Sequence, residues 1–272
     1  MKLSILGCRS ATPSENHHTT SQVLELKNHL FLIDCGEGTQ IQLRNHKIKF
    51  SRIKHIFISH LHGDHFYGLI GVISTFRLLG RTSDLYIYGP KGIKEVITLQ
   101  LKLANSWTNY NLFFHELESN ISQVIFEDDE VSVFTIPLDH RIYTNGFLFK
   151  EKQKQKSLNR MKTNDLGIES YTLKTYAFCS DTAYNEKIVP IIKSVDLLYH
   201  DATFLDLHEN LAKITKHSTA KQAAKIAKLA EVKKLVLGHF SSRYKDKKQF
   251  LSESKLLFDE VELASDGKVI EI

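Results

Sequence analysis

HIFISHLHGDH, residues 55–65, decides how the rest of the chain is read. Its first half, HIFIS, is a short run of β-branched and aromatic residues, the composition of a buried strand. Its second half places His60, His62, Asp64 and His65 within six positions. His60 and His62, two apart, point the same way from an extended turn. Asp64 and His65 fall beyond Gly63, where the chain can bend towards a second position. That spacing suits two adjacent cations. A lone histidine on an apolar face is ordinarily a structural residue, but H-x-H-x-D-H arises by chance only roughly once in several hundred chains of this length. Imidazole and carboxylate without thiolate favour zinc among the common metals, and ligand type leaves manganese and iron open.

Other strand-like runs end in the same kind of residue. FLID ends at Asp34, FTIPLD runs into His140, YAFCS into Asp181 and LVLG into His239. In mixed sheet proteins the loops leaving one edge of a sheet converge on a shared cleft, so these distant residues are expected to form one site. Strands are expected at 2–6, 30–34, 55–59, 85–88, 131–136, 176–179, 197–199 and 235–237. Helices are expected at 68–79, 93–103, 185–192 and 219–229, the last opened by Ser218 or Thr219 as N-cap. The alternation implies an α/β chain of packed sheet and helix layers. With no internal repeat and no Pro/Gly-rich linker, a single domain over 1–272 is the expectation. The exception is KEKQKQKSLNRMK, residues 150–162, which has no sustained apolar period. It reads as a solvated basic loop or as an arm that grips phosphates.

Composition excludes other classes. The chain has 272 residues, 42% hydrophobic and 25% charged, enough to bury a sizeable core. A formal charge of +5 is compatible with an anionic partner without distinguishing RNA from phosphorylated metabolites. Three scattered cysteines, Cys8, Cys35 and Cys179, give no disulfide framework and fit a reducing cytoplasm. Only two residues precede the lipoprotein-like run 3–8, so no leader is expected, and no apolar window of spanning length occurs.

The ordered set DCGEGTQ (34–40), SHLHGDH (59–65), LDHR (138–141), SDT (180–182) and GHFSSRY (238–244) resembles the motif series of the metallo-β-lactamase superfamily. FYGLIGVISTF (66–76), HDATF (200–204) and KHSTAKQAA (216–224) make the chain most similar to its ribonuclease Z family. The resemblance spans nearly the whole chain and implies a four-layer αββα sandwich, here α+β in its layering, with two zinc ions at one edge. It implies that His60, His62 and His140 hold one ion, Asp64, His65 and His239 the other, and that Asp181 bridges them. Asp34 then orients a ligand imidazole from behind. Two zinc ions roughly 3.5 to 4 Å apart activate water and stabilise charge during phosphodiester cleavage. Asp64 would also orient or deprotonate the attacking water.

By the same resemblance His217 protonates the leaving oxygen, with Asp201 as its carboxylate partner. The family usually has glutamate there. Arg243 could hold a substrate phosphate and Thr182 could donate a hydroxyl to it. The implied reaction is endonucleolytic removal of the 3′ trailer from precursor tRNA, leaving a 3′-hydroxyl, by a homodimer. Two departures from the family stand out. The loop LGCRSATPSE lacks a second glycine, and the arm at 150–174 is short and has no proline. The rival readings are a small-molecule phosphodiesterase of the cyclic-nucleotide type on the same metal pair, and a non-catalytic RNA-binding member of the fold. Cys179, beside Asp181, reads as a buried strand residue rather than a nucleophile.

Overall fold

The computed structural model describes residues 1–153 and 172–272. Most of the basic run at 150–162, and with it the expected arm, lies outside the described residues. Lys150 itself belongs to a strand, paired with Ser132 and Thr175.

Two seven-stranded mixed sheets are formed among the described residues. The first comprises β1 (Lys2–Gly7), β2 (Ser21–Leu26), β3 (His29–Cys35), β4 (Ile53–Phe57), β5 (Leu85–Pro90), β6 (Leu112–Leu117) and β14 (Val269–Glu271), in the order β14-β1-β2-β3-β4-β5-β6. The second comprises β7 (Val124–Glu127), β8 (Val131–Pro137), β9 (Asn145–Glu151), β10 (Thr175–Cys179), β11 (Leu197–Asp201), β12 (Lys234–Gly238) and β13 (Val261–Leu263), in the order β13-β12-β11-β10-β9-β8-β7. β3 to β6 run parallel, as do β10 to β13. Parallel strands covered on both faces read as nearly continuous apolar runs, which is how HLFLIDC and KLVLG look.

Strand alternation sorts those runs into layers. Phe31, Ile33 and Phe57 point into the core between the sheets, where they meet Phe147, Phe149, Tyr176 and Phe178 of the second sheet. Leu30, Leu32, Ile56 and Ile58 point outward, beneath α3 (Leu69–Leu78) and α4 (Ile93–Leu103). On the far side α6 (Ala220–Leu229) packs on β11 and β12. Its buried alanines at 220, 223, 224 and 227 let it approach closely. The result is the αββα sandwich. The remaining helices are α1 (Thr39–Asn45), the single turn α2 (Gly63–Phe66), α5 (Glu209–Thr215) and α7 (Lys248–Lys255). No helix among the described residues is long and apolar enough to cross a membrane.

The expected helix at 185–192 is corrected. Only Glu186–Ile188 forms, as one 3-10 turn capped by the Asn185 side chain. Pro190 explains the stop, since proline lacks the N–H that a continuing α-helix would donate to the Glu186 carbonyl. Strand 55–59 ends at Phe57, which frees Ile58 and Ser59 for the loop that carries His60. Two glycines allow that loop to sit against DCGEG. A Cβ on Gly68 would stand 1.9 Å from the Gly36 carbonyl oxygen, and one on Gly36 would stand 2.1 Å from Thr19 Oγ1.

Candidate metal centre

The carboxyl ends of β3, β4, β8, β10, β11 and β12 share one edge of the sandwich, and the histidines and carboxylates gather there. Two groups of ligating atoms result. His60, His62, His140 and Asp181 form one, and Asp64, His65 and His239 the other, each with its atoms within 4.8 Å of one another. Asp181 lies between them. Its Oδ2 is 3.6 Å from His60 Nε2 and 3.8 Å from His140 Nε2, while its Oδ1 is 3.1 Å from both His65 Nε2 and His239 Nε2.

Outer hydrogen bonds fix which nitrogen of each ring carries the proton. Ser59 Oγ donates to Asp34 Oδ2 (2.8 Å) and therefore accepts from His60 Nδ1 (3.0 Å). His65 Nδ1 donates to Asp34 Oδ2 at 2.6 Å, and His140 Nδ1 to the Lys216 carbonyl at 2.9 Å. Thr203 Oγ1 donates to Asp201 Oδ1 (2.7 Å) and accepts from His239 Nδ1 (2.8 Å). All four Nε2 lone pairs thus face inward. His62 Nδ1 lies 2.9 Å from His60 Nε2 and 3.2 Å from His140 Nε2, and one N–H could satisfy only one of them. His65 Nε2 is buried with no hydrogen-bond partner. Asp34, Asp64 and Asp181 surround that ring, a negative excess that a proton or a cation must balance. The donor set therefore fits a metal.

The electrostatics agree. Burial favours neutral rings at His60 and His140 and lowers both. Burial opposes charge on Asp181 and Asp64, but the neighbouring histidines outweigh it and hold both carboxyls well below their usual range. Asp64 Oδ2 also accepts the Ala11 N–H at 2.8 Å. Three site residues, Asp34, Asp181 and His239, have left-handed backbone with φ of 55°, 58° and 62°. Such values are uncommon outside glycine.

His217 stands beside the ligands, its ring centroid 5.0 Å from that of His140 and 5.2 Å from that of His239. Its Nδ1 donates to Asp201 Oδ2 at 2.7 Å. Burial disfavours the imidazolium, but the Asp201 charge and hydrogen bond prevail and push His217 up to about 9. A third possible ligand group joins Asp181, Asp201, His217 and His239. Asp201 is poorly suited to it, because its oxygens already accept from Thr203 N–H and hydroxyl, Thr182 N–H and His217.

Comparison with known proteins places the chain. A family model described as beta-lactamase superfamily domain matches residues 29–240. A ribonuclease Z of Bacteroides thetaiotaomicron is 47% identical, with 100% of this chain and 95% of that protein covered. One from Azobacteroides pseudotrichonymphae is 45% identical, with 100% and 98% covered. The chain belongs to the ribonuclease Z family. The structure of the short form of human tRNase Z superposes with a TM-score of 0.82 at 32% identity, covering 100% of this chain and 99% of that one.

Within this ribonuclease Z fold the seven expected ligands, Asp34, Asp201 and His217 all meet at one edge. Arg243 is exposed, with its guanidinium 5.6 Å from the centroid of Phe204, whose ring neighbours His217. Thr182 is placed differently from expectation. Its fully buried hydroxyl donates to the Ala183 carbonyl (2.9 Å) and accepts from Asp139 N–H (3.2 Å), so it does not face a substrate. Its backbone N–H supports Asp201 instead. Cys179 is fully buried in β10, and burial pushes its thiol up. Sequence reading missed Ser59, Thr203 and the Lys216 carbonyl. Ser59 and Thr203 adjoin motif residues, but nothing in the sequence marks a backbone carbonyl as a histidine partner.

Proposed function

We propose that this chain is a zinc-dependent endoribonuclease that hydrolyses precursor tRNA on the 3′ side, releasing the trailer and leaving a 3′-hydroxyl. The observation that carries the reading is the Asp181 carboxylate, with one oxygen facing each ligand group and a charged His217–Asp201 pair alongside. The ribonuclease Z relatives supply the substrate class.

In this reading His60, His62 and His140 would hold one zinc, Asp64, His65 and His239 a second, and Asp181 would serve both. Ions bound there would supply an activated water near neutral pH and offset charge on the phosphoryl oxygens. The protein does the rest. Asp64, fixed by the Ala11 N–H, orients the water. Asp34 holds His65 directly and His60 through Ser59. His217, protonated at neutral pH, gives its proton to the departing 3′-oxygen. Arg243, at the mouth, holds a phosphate of the tRNA.

A homodimer is part of the proposal. Ile41 on α1, Tyr67, Leu78 and Leu79 on or beside α3, and Leu103 on α4 are 56%, 60%, 82%, 56% and 77% exposed, all in the helical layer over the first sheet. Exposed apolar surface on one layer fits an interface. Light scattering at the single-chain mass would remove it. A cytoplasmic setting is supported by the three free cysteines.

The deciding test is cleavage of a 3′-extended precursor tRNA by zinc-loaded protein, with a bis-nitrophenyl phosphodiester and an Asp64→Ala control in parallel. Both substrates should be cut, and both activities should vanish in the control. Cutting of the diester alone would transfer the reading to small-molecule substrates.

A further inference from the structure

Lys216 caps the end of α5 in the left-handed region, with φ 60° and ψ 49°. Helices commonly close on glycine in that conformation, because a Cβ is strained there. The Lys216 carbonyl accepts the Nδ1–H of His140 at 2.9 Å, and the next residue in the chain is His217. The Lys216 ammonium reaches both carboxylate oxygens of Asp139, Oδ1 at 3.2 Å and Oδ2 at 3.1 Å. Asp139 is the residue before His140.

Asp139 is tied on its other side as well. Its N–H donates to Thr182 Oγ1 at 3.2 Å, and its carbonyl accepts the Ala183 N–H at 2.8 Å. Those two residues directly follow Asp181. One ion pair therefore joins the loops that carry His140, Asp181 and His217. Stability does not account for it. The two side chains are 42% and 45% exposed, and an ion pair so open to water adds little to folding. Glycine at 216 would also relieve the backbone. What lysine supplies and glycine lacks is a side chain that fixes its own carbonyl against His140.

We propose that Lys216 and Asp139 are positioning residues that together clamp the site. The pair holds the Lys216 carbonyl on His140 Nδ1, so that His140 Nε2 faces inward, and it sets His217 beside that ring, with the centroids 5.0 Å apart. This rests on the reading of His140 as a zinc ligand. A phosphate contact by the same ammonium is the competing use, and Asp139→Asn separates the two. If the pair is a clamp, removing the carboxylate does the same harm as removing the lysine. If the lysine serves RNA, removing the carboxylate frees a cation and tightens binding.

Zinc affinity, read by competition with a chelator, is measured for Lys216→Met, Asp139→Asn, the double variant and Lys216→Arg. Each single variant should lose about tenfold, the scale expected when the outer support of a ligand imidazole is loosened. The double variant should lose no more than either single one, because both changes open the same clamp. Lys216→Arg keeps the ion pair and should stay within about twofold of wild type. Urea unfolding of the metal-free proteins should show nearly unchanged midpoints. Mature tRNA, followed by fluorescence anisotropy on zinc-saturated protein, should bind Asp139→Asn as it binds wild type. Unchanged zinc affinity in either single variant, additive losses in the double variant, no rescue by arginine, an equal loss of metal-free stability, or tighter tRNA binding by Asp139→Asn overturns the proposal. Wild-type protein that takes up no zinc would sink the metal reading and the clamp with it. Cleavage of precursor tRNA is scored separately. If the zinc affinities follow this pattern but precursor stays uncut, the tRNA reading fails and the clamp stands.

Discussion

Replacing Asp201 by asparagine preserves size and removes the charge that keeps a proton on His217. The pair meets at 2.7 Å, and His217 is pushed up to about 9. Without the carboxylate, burial becomes the leading influence and takes the ring below its ordinary value near 6.5. At pH 7.5 the protonated fraction falls from about 0.97 to below about 0.1. The kcat for precursor tRNA should fall at least roughly tenfold, about 1.4 kcal/mol of barrier. The alkaline limb of its pH profile should move from near 9 to below about 6.5. Bound cations repel imidazolium and draw both limbs down, but they leave the gap between the two enzymes. Bis-nitrophenyl phosphate releases a stable phenolate that needs no proton, so its cleavage should change by less than about threefold. Because Asp201 also holds Thr203, which holds His239, zinc per chain must be measured on the same preparations. With zinc retained, equal losses on both substrates, or an alkaline limb that stays in place, would refute the role of this pair.

Other expected outcomes are simpler. Asp34→Asn removes the charge behind His65 and Ser59 and should weaken zinc affinity about 10- to 100-fold, read by competition with a chelator. His55 is pushed down to about 4 by burial among Phe31, Tyr86 and Phe126. Between pH 4 and 6.5 the unfolded chain binds more protons than the folded one, so stability is lost as the pH falls through that window. The loss between pH 7.5 and 5 from this ring is about 2 kcal/mol, and His55→Phe should remove it in urea unfolding. An unaltered pH dependence would count against that. Thr219 and Gln222 form a reciprocal capping box at the start of α6, so Thr219→Ala should cost about 1 kcal/mol by the same assay.

The edge that carries the chemistry was legible because buried parallel strands advertise themselves as apolar runs, and each important run stopped at a histidine or an aspartate. Edge and antiparallel strands gave weaker signals. β13 and β14 are three residues long, β7 is mostly exposed or half-buried, and β9 merges into the lysine-rich stretch that follows. β2 is nearly all buried, so SQVLEL places polar Ser21 and Gln22 inside, against the usual alternation. α1 is a seven-residue polar helix opened by left-handed Gly38, too short for a periodic signal. At the site, types and spacing located the ligands, but the supports behind them depend on three-dimensional register. Thr182 shows the same limit. Motif position put it near a phosphate, while the chain's turn after β10 sends its hydroxyl to Asp139 and Ala183.

The left-handed backbone at Asp34, Asp181 and His239 has a consequence for metal choice. A non-glycine residue in that region costs of order 1–2 kcal/mol, which the ordered strands beneath must sustain whether or not an ion is present. The ligands are therefore set by the frame rather than gathered by the cation. A rigid frame accepts any ion of suitable size without reshaping itself, so exchanging zinc for manganese or cobalt should alter rate far more than shape. Which metal the enzyme carries is then a question of ligand chemistry and supply.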